Sequence, residues 1–319
     1  MKKGFLIAAA VFVVAGVAIF AAAFIASGFD LSKLDTSKYV TGSDTVTEDF
    51  ESITVESGVA DITFRPSEDG KTRVDRVERD KIRHEVSVEN GTLKITEVDE
   101  RKWYDKLTVF SLRSPAVTVY IPAGHYADLT ITSGTGDVSV PEQFSFGGAK
   151  IRSSTGDVAF DASADGSLSI RTSTGDVRVS SVSADGIDIS VSTGSIEGKN
   201  VECREKLSIS VSTGETYLEN VVCGSLVSAG STGDVTLKNT VASGEFNIER
   251  STGGVSFEDC DAGEITVKTS TGEVTGSLSS EKVFITKSST GDIRVPDSGS
   301  GGNCRITTST GDIRITVKN

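Results

Sequence analysis

Histidine is almost missing from this 319-residue chain: His84 and His125 are the only two, and they share no motif. Imidazole-based proton shuttles and metal clusters therefore find no footing. Cysteine is scarce too, and Cys203, Cys223, Cys260 and Cys304 lack the spacing of zinc ligands. No phosphate-cradling loop and no nucleophile constellation is present, so the chain reads as a non-enzyme without a cofactor. Positive charge is also in deficit, with 32 Lys and Arg against 45 Asp and Glu and a net charge of −13. That balance disfavours nucleic acid and anionic lipid surfaces as partners and favours solubility outside the cell. A single tryptophan, Trp103, stands beside Tyr104 in the segment Arg101 to Lys106. The expected role of this aromatic segment is to plug the open end of the first coil, and the alternative makes Trp103 and Tyr104 the candidate contact for a sugar, lipid headgroup or partner protein.

One long apolar run exists. Phe5 to Ala26 carries no charged side chain, follows Lys2 and Lys3, and is long enough to cross a bilayer as one helix. Residues 1–28 are expected to be a transmembrane signal anchor with a cytoplasmic N-terminus; a cleaved signal peptide is the alternative, given the small Ala23, Ala26 and Ser27. Either way the rest of the chain leaves the cytoplasm, and the anchored form is a single-pass protein of the cell membrane. Residues 29–49 are polar and aperiodic, and are expected to be a linker.

Glycine, by contrast, recurs with a period. Ser-Thr-Gly-Asp-Val or a near variant is centred on Gly136, Gly156, Gly175, Gly194, Gly214, Gly233, Gly253, Gly272, Gly291 and Gly311, at intervals of 19 or 20 residues. So short a repeat cannot enclose its own core and must be one coil of a solenoid. With each glycine as position zero, −7 is apolar in all ten coils, −5 is Ile or Val except at Ser228 and Thr286, and +2 is Val or Ile except at Thr216. Position +4 departs from apolar character only at Gly198 and Gly276. Pairs at −7/−5 and +2/+4 have the period of two that puts alternate side chains on one face of a strand. A weaker slot at +7 holds Val182, Val201, Val221 and Cys260, and Pro141 and Pro296 mark a second corner near +5. Two clear strands, one weak strand and three corners predict a three-sided parallel β-helix over residues 129–319.

Residues 50–128 are expected to form an N-terminal β cap with irregular coils, because a solenoid needs its first edge covered. Within them Ile53, Val55, Val59, Ile62 and Phe64 resemble a degenerate coil around Gly58, and Asn90-Gly91 predicts a tight hairpin. The acidic residues after the corner glycines are read as caps of corner amides, with a calcium ladder as the alternative. Thr precedes every corner glycine; local hydroxyl bonding is the expected role, and an ice- or carbohydrate-binding face the alternative. Cys260 and Cys304 fill inward slots, while Cys203 and Cys223 share position +9 of adjacent coils and are either bridged or buried as free thiols.

The anchor, the segment Gly91-Thr92-Leu93-Lys94-Ile95, the strand ending Tyr120-Ile121-Pro122 and the Ser-Thr-Gly-Asp-Val ladder together resemble the bacterial putative-adhesin family of β-strand repeat proteins, a domain of unknown function. The resemblance covers residues 50–319. It implies a right-handed β-solenoid at the cell envelope, tethered to the membrane in some members and linked to envelope-stress systems. No catalytic or ligand-binding residue is established for that family. The expected function is a non-catalytic envelope scaffold or adhesion module whose partner is a cell-envelope glycan or a membrane protein. A polysaccharide-acting enzyme on a β-helix and a calcium-dependent surface module are the alternatives.

Overall fold

The computed structural model describes residues 2–26, 28–29, 38–102, 114–297 and 299–318, with side chains of the N-terminal helix described at 5, 9 and 11–26. Trp103 and Tyr104 lie outside the described residues. Among the described residues one helix, Lys2–Ala26, precedes 25 strands joined in one sheet that winds into a solenoid. Among the described residues no helix is long and apolar enough to cross a membrane.

Each repeat contributes three strand segments, seen separately in Ser163–Ala164, Ser167–Thr174 and Val177–Ser180. In the middle of the rod two of these fuse with the next segment into long bent strands such as Ile196–Thr213. Coils stack in parallel register: Ile151 pairs with Ile131 on one side and Ile170 on the other, and the corner threonines Thr155, Thr174 and Thr193 align. The apolar slots at −7, −5, +2 and +4 point inward, so Leu168, Ile170, Val177 and Val179 are all buried. The slot at +7 is equally closed at Val182, Val201, Val221 and Cys260. Burying these side chains contributes roughly 1.5–3 kcal/mol each.

A further inward position, −3, carries no apolar signal. It holds Ser133, Ser153, Thr172, Val191, Val211, Thr269 and Thr308, all buried. In the Gly253 coil it holds Arg250, which is only 4% exposed. The Arg250 Nη2 donates to Thr216 Oγ1 at 3.1 Å and Ser228 Oγ at 3.0 Å, and Nη1 donates to the Glu249 carbonyl at 2.9 Å. Gly230 makes the room, since a Cβ there would come within 3.0 Å of Nη1. Thr216 and Ser228, two departures from the apolar pattern, are thus the acceptors of one internal guanidinium. A buried cation without a carboxylate is disfavoured, and burial pushes the Arg250 pKa down to about 10. The other departures also have steric causes. Leu218 Cδ2 fills the space beside Gly198, and a Cβ on Gly276 would lie 1.9 Å from the Phe257 carbonyl oxygen.

Coil order in space differs from coil order in sequence at both ends. Strand Val255–Thr271 of the Gly272 coil pairs with Gly302–Thr310 of the Gly311 coil, and that strand pairs on its other side with Lys282–Thr290 of the Gly291 coil. The last coil is therefore inserted between its two predecessors, and the Gly291 coil forms the outer edge. Thr286, the remaining exception at −5, belongs to that edge, where Ile285 and Ile293 are 40% and 42% exposed.

At the other end, Ser52–Ser57 lies between Gly124–Thr135 and Thr92–Asp99. The first coil is likewise inserted between two that follow it in sequence. Its register pairs Ser57 with Ser133, so Ala60 rather than Gly58 occupies the corner-glycine place. The expected centring on Gly58 is off by two residues because Ala60 makes that corner without a positive φ. Antiparallel strands then turn the stack over: Thr72–Arg79 pairs with Ala116–Ile121, and Ile82–Glu89 forms a hairpin with Thr92–Asp99. Asn90 and Gly91 supply positive φ values of 51° and 71° at that hairpin, as a two-residue turn of this hand requires. Residues 39–46, expected to be linker, instead form strand Tyr39–Val46, which pairs with Thr72–Arg79. Alternating small polar and β-branched residues suit such a covering strand, although they give too weak a periodicity to announce it.

Candidate functional site along the glycine corner

Two constraints converge on the corner glycines. Nine of the ten have φ between +125° and +147°, and a Cβ on any of the ten would lie 1.9–2.4 Å from the carbonyl oxygen of the equivalent residue in the neighbouring coil. Glycine is the residue that meets both demands. Without side chains at this position the coils close up, and the residues on either side emerge in straight rows.

The acid row does a structural job across coils. Asp157 N–H donates to Asp137 Oδ1 at 2.8 Å, Asp176 N–H to Asp157 Oδ1 at 2.8 Å, and Ser195 N–H to Asp176 Oδ1 at 2.7 Å. The pattern recurs from Gly254 N–H to Asp234 Oδ1 and from Asp292 N–H to Asp312 Oδ1, both at 2.7 Å. Asp137, Asp157, Asp176, Asp234 and Asp312 therefore each cap an amide of the adjoining coil and not of their own corner. One oxygen of each of these five aspartates is committed, and among the described residues no group of three or more His, Cys, Asp or Glu converges to hold a metal ion. Millimolar calcium is accordingly expected to leave the thermal midpoint unchanged, as followed by a melting curve with and without chelator. A rise of many degrees that Asp157→Asn with Asp176→Asn removes would assign the row to calcium instead.

The threonine row behaves differently from expectation. Thr155, Thr174, Thr193, Thr213, Thr232, Thr252 and Thr271 are exposed, and their hydroxyls make no protein hydrogen bond. The corner backbone is already paired between coils, as in Gly156 N–H to the Thr174 carbonyl, which leaves the hydroxyl no local acceptor. A shallow groove of about 500 Å³ runs beside these rows, lined by Asp137, Asp157, Asp176, Arg178, Glu197 and Tyr217 among others. Lys199 Nζ sits 5.6 Å from the centre of the Tyr217 ring, whose hydroxyl donates to Glu219 Oε2 at 3.1 Å. The groove's edge is therefore acidic and hydroxylated, with an aromatic and two cations at one end.

A second polar constellation lies in the cap. His84 has Nδ1 3.1 Å from Glu78 Oε1 and Nε2 3.0 Å from Ser57 Oγ, a spacing that brings a serine, a histidine and a carboxylate together. Sequence reading missed it because strand pairing, not spacing, joins its members. Ser57 is 5% exposed and His84 1% exposed. The adjacent amides of Gly58 and Val59 both donate to Glu97 Oε2, at 2.6 and 3.2 Å. A substrate carbonyl has no route to that hydroxyl, and the place of an oxyanion is already filled by a side chain. The cluster closes the polar −3 row at the mouth of the solenoid. His125, the other histidine, is exposed and has Nδ1 3.2 Å from Ser145 Oγ.

All four cysteines are buried and free. Cys203 and Cys223 face each other in register, but their thiols point to different carbonyls, those of Asp185 and Val241. Burial pushes Cys223 and Cys304 up to about 12, and Cys260 up to about 11, so the thiols stay protonated and unreactive at neutral pH.

A parallel solenoid of near-identical coils with a conformationally fixed glycine corner is the class of protein defined by these features. The chain belongs to the Toastrack DUF4097 family, whose model matches residues 50–215 and 200–319. No curated protein matches it. Among solved structures it is similar to a putative lipid binding protein from Parabacteroides distasonis ATCC 8503, at 17% identity and a TM-score of 0.49 over 76% of this chain and 98% of that one. It is also similar to a putative adhesin from Parabacteroides merdae ATCC 43184, at 15% identity and a TM-score of 0.46 over 77% and 98% of the two chains. A putative adhesin from Bacteroides fragilis NCTC 9343 matches at 16% identity and a TM-score of 0.38 over 88% and 97%.

Proposed function

We propose that the protein is a membrane-tethered, extracytoplasmic β-solenoid that acts as a non-catalytic scaffold or binding module of the cell envelope. The observation that carries this reading is the exposed row of threonine hydroxyls that make no protein hydrogen bond, running beside a row of carboxylates. Such a surface presents the same polar groups at every coil spacing, about 4.8 Å, and suits an extended, hydroxyl-rich partner such as a cell-envelope glycan. Catalytic sites on solenoids need loops inserted at particular turns, whereas the coils from Gly156 to Gly272 are uniform in length. Tethering is supported by the apolar run Phe5 to Ala26 and by the exposed apolar side chains Phe12, Val13, Val14, Val17 and Ile19 on the N-terminal helix.

Protease added to intact cells is expected to degrade the repeats and leave an N-terminal membrane-bound stub; full protection would contradict the outward orientation. Purified protein incubated with envelope and host glycans is expected to retain one or more of them without cleavage. Turnover of a glycan would favour the enzyme reading.

A further inference from the structure

The inserted last coil leaves the rod with one uncovered parallel edge. Strand Lys282–Thr290 bonds on one side to Gly302–Thr310, and among the described residues no strand pairs with its other side. The opposite end is turned over by antiparallel strands. An unpaired strand edge is a template for another chain, and natural proteins normally blunt or cover it. Here it is neither short nor covered, and it presents Ile285, which is 40% exposed.

The sequence around this edge is self-complementary when read antiparallel to itself. Centred on Phe284, an antiparallel pairing sets Val283 opposite Ile285 and Glu281 opposite Lys287, each twice by symmetry. Val283, Ile285 and Lys287 share one face, because alternate residues of a strand do, and Glu281 immediately precedes the strand. Phe284 and Thr286 share the other, where Phe284 packs against the core. Glu281 also accepts a hydrogen bond from Ser300 Oγ, which holds the acid at the edge. Opposite charges and paired β-branched residues across strands each add to pairing, and like charges directly opposite oppose it.

We propose that the Gly291 coil is a homodimerisation edge, at which two copies of this chain join end to end through antiparallel pairing of segment 281–287 with the same segment of the second copy. The contact is isologous and closes as a pair. Pairing uses up this edge on both copies, so the same contact does not extend into a fibre. This inference is independent of the ligand suggested for the glycine corner.

Charge reversal on the full chain in detergent micelles, followed by sedimentation velocity, tests the register. The wild type is expected to dimerise at micromolar concentration, and Glu281→Lys or Lys287→Glu alone to weaken the dimer at least tenfold with unchanged melting temperature. Mixing the two single variants is expected to restore a heterodimer, because every 281–287 contact then joins opposite charges. The double variant is expected to dimerise with itself for the same reason. A wild type that stays monomeric at the highest concentration reached overturns the proposal. So does a dimer that ignores both reversals, which would place the contact on the N-terminal helix or elsewhere.

Discussion

Replacing Gly233 by valine is expected to prevent the repeats from folding, or to cost at least about 4–5 kcal/mol, the range reserved for core-disrupting changes. Gly233 has φ +125°, and its added Cβ would stand 2.0 Å from the Gly214 carbonyl oxygen and 2.5 Å from its carbon. Neither atom can yield, because both belong to the backbone of a coil that is itself paired on both sides. A β-branched residue adds the cost of a positive φ to that of the overlap. Asp234→Asn, one residue away, keeps an oxygen that accepts from the Gly254 amide and is expected to change stability by less than about 1 kcal/mol. Chemical denaturation of the two variants measures both. Similar midpoints would mean that the corner tolerates a side chain and that the steric reading is wrong.

The slots at −7, −5, +2 and +4 could be read from sequence because they obey two rules at once, apolar identity and a period of two, repeated over ten coils. The −3 slot could not. Ser133, Ser153 and Thr172 face inward beside the corner, and small polar residues look the same in a core as on a surface. The second corner shows a related limit. Prolines suggested a turn near +5, whereas the left-handed residues are Ser181, Asn200, Asn220, Asn239 and Asp259 at +6. Asparagine tolerates that conformation, and Asn220 and Asn239 further donate to the side-chain oxygens of Asn200 and Asn220, at 3.1 Å each. Positive φ at this position spans only five coils, too short a series to stand out as a period in the sequence. Departures from the pattern proved more informative than its regularities: Thr216, Ser228 and Gly230 are intelligible only once Arg250 is placed among them.

Of the candidate site, the acid row's capping role was legible, since an aspartate at a corner has amides within reach. Its cross-coil direction was not, because the sequence does not reveal which coil lies alongside. The threonine hydroxyls were expected to bond locally and do not. Interstrand pairing has already taken the carbonyls on which such a bond depends.

Deleting residues 299–319 is expected to damage two coils and not one, which follows from the order of stacking. If coils stacked in sequence order, this deletion would trim the tip and leave the Gly291 coil seated on the Gly272 coil. In the structure it removes an interior layer, with the buried Cys304, Ile306, Ile313 and Ile315, and leaves the Gly291 coil about two strand spacings, roughly 9–10 Å, from its nearest neighbour. Loss of those four side chains alone amounts to about 6–12 kcal/mol of burial. The detached coil brings only Thr286 and Ser288 to its −5 and −3 slots with which to re-dock. Hydrogen exchange separates the two arrangements without any variant. In the intact protein, amides of 302–317 are expected to exchange more slowly than those of 282–294, although they lie nearer the C-terminus, because they are paired on both sides. In the truncated protein, protection is expected to vanish from 282–294 and to fall in 265–278. Slow exchange in 282–294 after truncation would show that the coils follow sequence order. It would also remove the open edge on which end-to-end pairing depends, because the Gly291 strand would then be flanked in the intact protein on both sides.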